Sequence, residues 1–198
     1  RYQKLLKYKC DYKFFFTATE KNIQADSKVI SMDNEDVYGP VIFRYDLSQA
    51  IKDGWLCDYL FHLVATKDRI TSCVKYVKSG YKTVIFCGKQ ETVEKVHKKL
   101  KKKLPESIGV FKLGENDDVE NNTKHFSDYE GQAVIIACRK ITMGYDEPQI
   151  DTVIHYNLTT SSIMVHQRNG RVFRLHSDKV MATLVFLCDI SGDEKKRK

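Results

Sequence analysis

From residue 67 onward the chain alternates between short apolar runs rich in β-branched residues and longer stretches whose apolar residues recur at helical spacing. The pattern predicts helix over residues 68–79, strand over 83–87, helix over 91–103, strand over 108–112, helix over 117–129 and strand over 132–138. Strands over 152–156 and 180–187 flank a further helix over 161–169. Strands that are apolar on both faces must be covered on both, so the alternation predicts an α/β fold: a mostly parallel sheet with helices on both faces. Sheets of this kind bind ligands beyond the carboxyl ends of their strands. Those ends lead here into Gly88-Lys89, Arg139-Lys140 and Asn157-Leu158-Thr159, so the three segments are expected to share one rim.

Upstream of the alternation, residues 13–17, 41–45 and 56–65 read as strands. Residues 47–52 read as a short helix, with Asp46 as its N-cap and Gly54 ending it. Residues 21–40 are polar and include the turn Gly39-Pro40, the signature of an interdomain linker. The expected division is therefore 1–20, the end of a preceding domain; 21–40, linker; 41–190, the main domain; and 191–198, a charged tail. The net charge of +7 favours contact with phosphate polyanions or anionic surfaces. The six cysteines contain no CxxC, and Cys87, Cys138 and Cys188 lie in apolar runs. They read as small buried hydrophobes in a reducing, hence intracellular, compartment. No apolar run approaches the roughly 18 residues of a membrane span, and the histidines show no ligand-like spacing, so neither membrane nor metal site is expected. Val93, Val96, Leu100 and Leu104 form an apolar helical stripe that turns Lys95, Lys98, Lys99, Lys101, Lys102 and Lys103 to solvent.

The chemistry concentrates in Gln167-Arg168-Asn169-Gly170-Arg171-Val172-Phe173-Arg174. In a helix, Arg171 and Arg174 would share one face about 5 to 6 Å apart at Cβ, with Gln167 one turn earlier. Guanidinium is always charged and matches phosphate oxygens bidentately, so such a face suits a polyanion. The spacing resembles motif VI (QxxGRxxR) of superfamily 2 helicases. The run 133–138, followed by Gly144, Asp146, Pro148 and a strand ending Val153-Ile154, looks like motif V, with Cys138 where threonine is common. Residues 83–90 resemble motif IV, and Phe14-Phe15-Phe16-Thr17-Ala18-Thr19 resembles motif III.

Four motifs in order imply a RecA-like motor domain. The resemblance implies arginine fingers at Arg171 and Arg174, Gln167 near the γ-phosphate or attacking water, Gly144 and Asp146 coupling nucleotide to the domain interface, and Thr17 and Thr19 linking two motor domains. Gly88, Lys89 and Gln90 would present amides and charge at a helix N-terminus, a natural phosphate site, and Arg139, Lys140 and Thr142 would hold the next phosphates of a nucleic acid. Neither a GxxxxGK(S/T) cradle nor a DExH box is present. The chain therefore reads as the second motor domain of a longer helicase, inactive alone, with ATP and Mg2+ held mainly by a first motor domain upstream. Tyr38-Gly39-Pro40 and the pattern over residues 45–56 resemble restriction-enzyme-like and viral DExH proteins, which favours DNA. RNA stays open, because phosphate contacts carry no sugar label. A non-enzymatic binding or scaffolding module that keeps the motor fold also stays open.

Overall fold

An apolar run of five residues has no side to offer water, and the fold places such runs in the middle of a sheet. The computed structural model of the chain describes residues 6–17, 32–138 and 145–191. It divides into two units, Arg1–Asp46 and Leu47–Lys198. The first includes the short helix α1 (Glu35–Tyr38), closed by Gly39 at φ 79°. The second runs α2 (Leu47–Lys52), β1 (Tyr59–Thr66), α3 (Arg69–Ser79), β2 (Lys82–Phe86), α4 (Gln90–Lys103), β3 (Gly109–Leu113), α5 (Val119–Asp128), β4 (Ala133–Ala137), β5 (Ile150–His155), α6 (Ser162–Asn169) and β6 (Ala182–Asp189).

The six strands lie in the order β1-β6-β5-β2-β4-β3, and every neighbouring pair is parallel. Both β2 and β4 are buried at every position. Because side chains alternate along a strand, Ile85 joins a cluster with Ile70, Cys73 and Val77 of α3 and Val93, Val96 and Leu100 of α4. Val84 and Phe86 point the other way, onto Phe126 of α5 and onto Val172 and Phe173 beyond α6. Helices thus cover both faces, as the alternation predicts. Each large aliphatic or aromatic side chain removed from water contributes about 1.5–3 kcal/mol. Side-chain caps fix three helix starts: Asp68 accepts from the Ile70 amide at 2.9 Å, Asp118 from Asn121 at 3.2 Å and Ser161 from Met164 at 3.3 Å. The N-cap of α4, Lys89, makes no such bond.

Two expected strands are absent. Residues 13–17 and 41–45 form no strand, and Phe16 and Phe43 are 91% and 78% exposed. Aromatic and β-branched composition favours an extended chain, but a strand exists only where a neighbour supplies ladder partners. The strand expected over 56–65 starts later, at Tyr59. Gly54, at φ 76°, turns the chain, and the amides of Trp55 and Leu56 bond back to the Ala50 carbonyl, so it is released into the sheet only afterwards. Cys57, Cys73, Cys87 and Cys138 are buried, whereas Cys10 is exposed.

Lys82, the first residue of β2, is fully buried. Its ammonium donates to the carbonyls of Phe126 at 2.7 Å and Tyr129 at 2.6 Å. A helix C-terminus favours a cation, and the rings of Phe126 and Tyr129 lie 5.2 and 5.7 Å from the nitrogen. Burial pushes its pKa down, but the carbonyls solvate the charge. Lys82→Met should lower the unfolding free energy by about 2–4 kcal/mol, because two carbonyls lose their donor. An unchanged urea midpoint would show that water replaces the ammonium.

Candidate nucleotide and nucleic-acid interface

The site is assembled where α6 ends. Gly170, with φ −57° and ψ −18°, donates to the His166 carbonyl at 2.8 Å. The amides of Arg171 and Val172 then bond to the carbonyls of Arg168 and Asn169, three residues back, at 3.3 and 3.0 Å. Helical spacing has therefore tightened into a 3₁₀-type turn. Arg171 and Arg174 consequently do not lie along one α-helical face, as a helical reading would have them. Val172 and Phe173 are instead anchored in the core, 0% and 7% exposed, and the two arginines flank them, half-buried. Gln167 lies earlier, exposed on α6.

Each arginine is tied to the segment before β5. Arg171 Nη1 donates to the Tyr145 carbonyl at 2.6 Å, and Arg174 forms an ion pair with Asp146. The structure thus brings together Arg171, Arg174 and Asp146. The Asp146 side chain is 67% exposed, so the pair is of the weak, exchangeable kind, worth about 0–1 kcal/mol. Gly144, Arg139, Lys140, Thr142 and Thr19 lie outside the described residues. Thr17 is described, exposed, in the first unit.

The ends of β2 and β5 do share a rim, since the Gly88 amide donates to Asn157 Oδ1 at 2.9 Å. That bond corrects one expectation: the Gly88 N–H is already engaged and is not presented to a ligand. Lys89 is exposed at the start of α4, and Gln90 opens the helix with its Oε1 buried and without a hydrogen-bond partner among the described residues. The strand β4 reaches the same rim, where the Cys138 carbonyl accepts from Arg168 Nη2 at 3.1 Å.

Sequence reasoning passed over Arg168 and His155. The Arg168 guanidinium is buried, 4.7 Å above the Phe86 ring. The His155 ring, fully buried at the end of β5, stacks on Phe186 at 4.2 Å and pairs through Nε2 with Asn169 Oδ1 at 2.8 Å. Together they fasten the last turn of α6 to the sheet. Neither was singled out, because a guanidinium or imidazole side chain reads as surface by default even where, as at His155, the flanking residues read as strand. Only the position of Arg168 inside the motif hinted at more. No group of three or more His, Cys, Asp and Glu among the described residues could hold a metal ion, and no helix among them is long and apolar enough to cross a membrane.

The family described as helicase conserved C-terminal domain matches residues 65–176, from the end of β1 through the arginine turn. A probable helicase of African swine fever virus is 25% identical over 170 residues, covering 75% of this chain and 19% of that protein. Among solved structures, the ATP-dependent Type ISP restriction-modification enzyme LlaBIII bound to DNA matches with a TM-score of 0.64 at 17% identity, over 89% of this chain and 15% of that one. A fragment assigned to the HsdR subunit of a type I restriction enzyme from Vibrio vulnificus matches with a TM-score of 0.63 at 23% identity, over 82% and 38%. These structures share the fold, the RecA-like parallel sheet of helicase C-terminal domains, and the chain spans well under half of each of these three relatives.

His155 makes the site's anchorage pH-dependent. Burial pushes its pKa down from 6.5 to about 4, against the pull of Asn169. The unfolded state therefore takes up a proton first, and stability is lost as pH falls from about 6.5 to about 4, by up to roughly 3 kcal/mol. In His155→Gln the fall in unfolding free energy over that window should be shallower by about this amount. Parallel profiles in urea titrations would show that His155 protonates as freely in the folded chain as in the unfolded one.

Proposed function

The chain belongs to the helicase conserved C-terminal domain family, and from that premise we propose that it is the second motor domain of an ATP-dependent superfamily 2 nucleic-acid helicase or translocase. The observation that carries the reading is the turn that holds Arg171 and Arg174 against Tyr145 and Asp146. The residues fit a nucleoside triphosphate: Gln167, Arg171 and Arg174 offer donors, and the Asp146 carboxylate occupies the place at Arg174 that a phosphate oxygen would take. ATP, when bound, supplies the transferable phosphoryl group. Arg171 and Arg174 bind oxygens on which charge develops, Gln167 orients a water, Asp146 holds Arg174 between turnovers, and Gly144 and Asp146 couple the nucleotide to the domain interface. The phosphate cradle and the magnesium carboxylates are assigned to a first motor domain, which Thr17 and Thr19 would link to this one. Residues 41–190 form the motor domain in this reading, 21–40 the linker to it, 1–20 the end of the first domain and 191–198 a tail.

The nucleic-acid track runs along the rim. The start of α4, where Lys89 makes no side-chain cap bond, offers helix N-terminal amides and one positive charge at Lys89 and Gln90, and Arg139, Lys140 and Thr142 follow β4. Gly88 lies beside Lys89 on the rim, its amide held by Asn157. DNA is the favoured polymer, on the likeness to a restriction enzyme whose structure is described as bound to DNA.

In the full-length protein, Arg171→Ala or Arg174→Ala should leave the thermal midpoint largely unchanged while lowering nucleic-acid-stimulated turnover roughly 10²-fold or more. Arg171→Lys should fail as well, since an ammonium cannot reproduce the bidentate fork. Wild-type turnover in either alanine variant would reduce these arginines to structural ties. Affinity for single strands should fall with salt at a slope near −0.7 per phosphate contact, with Lys89→Ala plus Lys140→Ala flattening it by roughly one to two units. Lys99→Ala plus Lys102→Ala on the exposed face of α4 should flatten it less, and the reverse order would move the track off the rim. DNA and RNA strands in parallel assays settle the polymer.

A further inference from the structure

We propose that Lys179 is a positioning residue that clips the segment carrying Asp146 to the turn carrying Arg171 and Arg174, and so sets how both arginines are presented; the inference rests on the reading of those arginines as nucleotide-facing. The ammonium has three N–H groups, and three carbonyls receive them. Lys179 Nζ donates to Pro148 at 2.8 Å, Ile150 at 3.1 Å and Val172 at 3.1 Å. Pro148 lies two residues after Asp146, Ile150 opens β5, and Val172 adjoins Arg171. One nitrogen therefore joins two segments that are far apart in sequence, at the backbone of the residues that matter.

The arginine turn is held from a second side. The Cys57 amide donates to the Phe173 carbonyl at 2.9 Å, and Cys57 Sγ approaches the Val172 carbonyl at 3.5 Å. Core burial of Val172 and Phe173 fixes their side chains, which leaves the carbonyls between the two arginines as the remaining freedom of the turn. Those are the atoms Lys179 and Cys57 bind. Burial pushes the Lys179 pKa down, and Cys57, Asp151 and Glu147 pull it back up while Arg174 adds to the depression. The lysine is thus held in partial burial by its carbonyls. The consequence is mechanical: displacement of the Asp146 segment is carried to the arginines, because the two segments share one donor.

The test is a mutant cycle in the full-length protein, with ATP turnover stimulated by a single-stranded oligonucleotide. Lys179→Met should lower kcat by about 10-fold or more, since misplacement of about 1 Å can cost that and beyond, with KM for ATP changed less than about 3-fold. In a background carrying both Arg171→Ala and Arg174→Ala the same substitution should slow turnover little further, because Lys179 acts through the two arginines and linked residues are not additive. A full 10-fold loss in that background, or wild-type turnover in folded Lys179→Met, would overturn the clip while leaving the arginine reading intact. Wild-type turnover in Arg174→Ala alone would overturn both. Should Lys179→Met fail to fold, Lys179→Arg carries the same cycle, since it keeps a charged donor but cannot direct three N–H groups from one atom.

Discussion

Parallel pairing decides where the chemistry of this chain can be. When every strand runs the same way, every carboxyl end arrives at one edge, and residues remote in sequence meet there without any contact of their own. The register makes this concrete: Phe86 of β2 stands opposite Ala137 of β4 and His155 of β5. Gly88, Cys138 and Asn157 therefore leave the sheet within a residue or two of the same level. The bonds from Gly88 to Asn157 and from Arg168 to Cys138 then close the rim. Parallel pairing also requires long return connections, and those returns are the helices whose ends carry Gln90 and Gln167.

Three cations turn inward from the surface, wholly or in part, and each of them binds carbonyls. Lys82 takes the last carbonyls of α5, Arg168 takes the carbonyl after β4, and Lys179 takes three around the arginine turn. An ammonium or guanidinium in such a place costs desolvation, but it satisfies acceptors that no secondary structure reaches. The three differ in what they hold. Lys82 secures a helix against the sheet, which is a matter of stability. Arg168 and Lys179 secure the segments that present Arg171, Arg174 and Asp146, so the same physical device serves geometry at the site.

The sequence was legible where a residue's neighbours along the chain determine its surroundings. Central strands buried on both faces produce continuous apolar runs, and β2 and β4 were readable for that reason; Ser161 marked the start of α6 in the same local way. Residues 13–17 and 41–45 have equal or greater aromatic content, yet a ladder partner is a property of another part of the chain, and composition is blind to it. The arginine spacing was legible as chemistry but not as geometry. A separation of three residues suits an α-helix and a 3₁₀ turn alike, and Gly170 in a helical conformation hides the junction. Arg168, Lys82 and Lys179 were invisible because a cation's default is solvent, and the carbonyls that draw it inward lie 30, 44 and 31 positions away.

The Asp146–Arg174 pair explains how the proposed motor domain can keep an arginine ready without locking it. A buried pair would cost several kcal/mol to break, and Arg174 would then be lost to any ligand. With the Asp146 side chain 67% exposed, water stands in for whatever leaves, and the exchange of a carboxylate for a phosphate oxygen comes close to balance. Charge then decides direction: a triphosphate brings more negative charge than one carboxylate, and its oxygens match both edges of a guanidinium. Arg171 also donates to a neutral carbonyl, that of Tyr145. In the proposed reading, the carboxylate on Arg174 is therefore what a phosphate oxygen would have to displace.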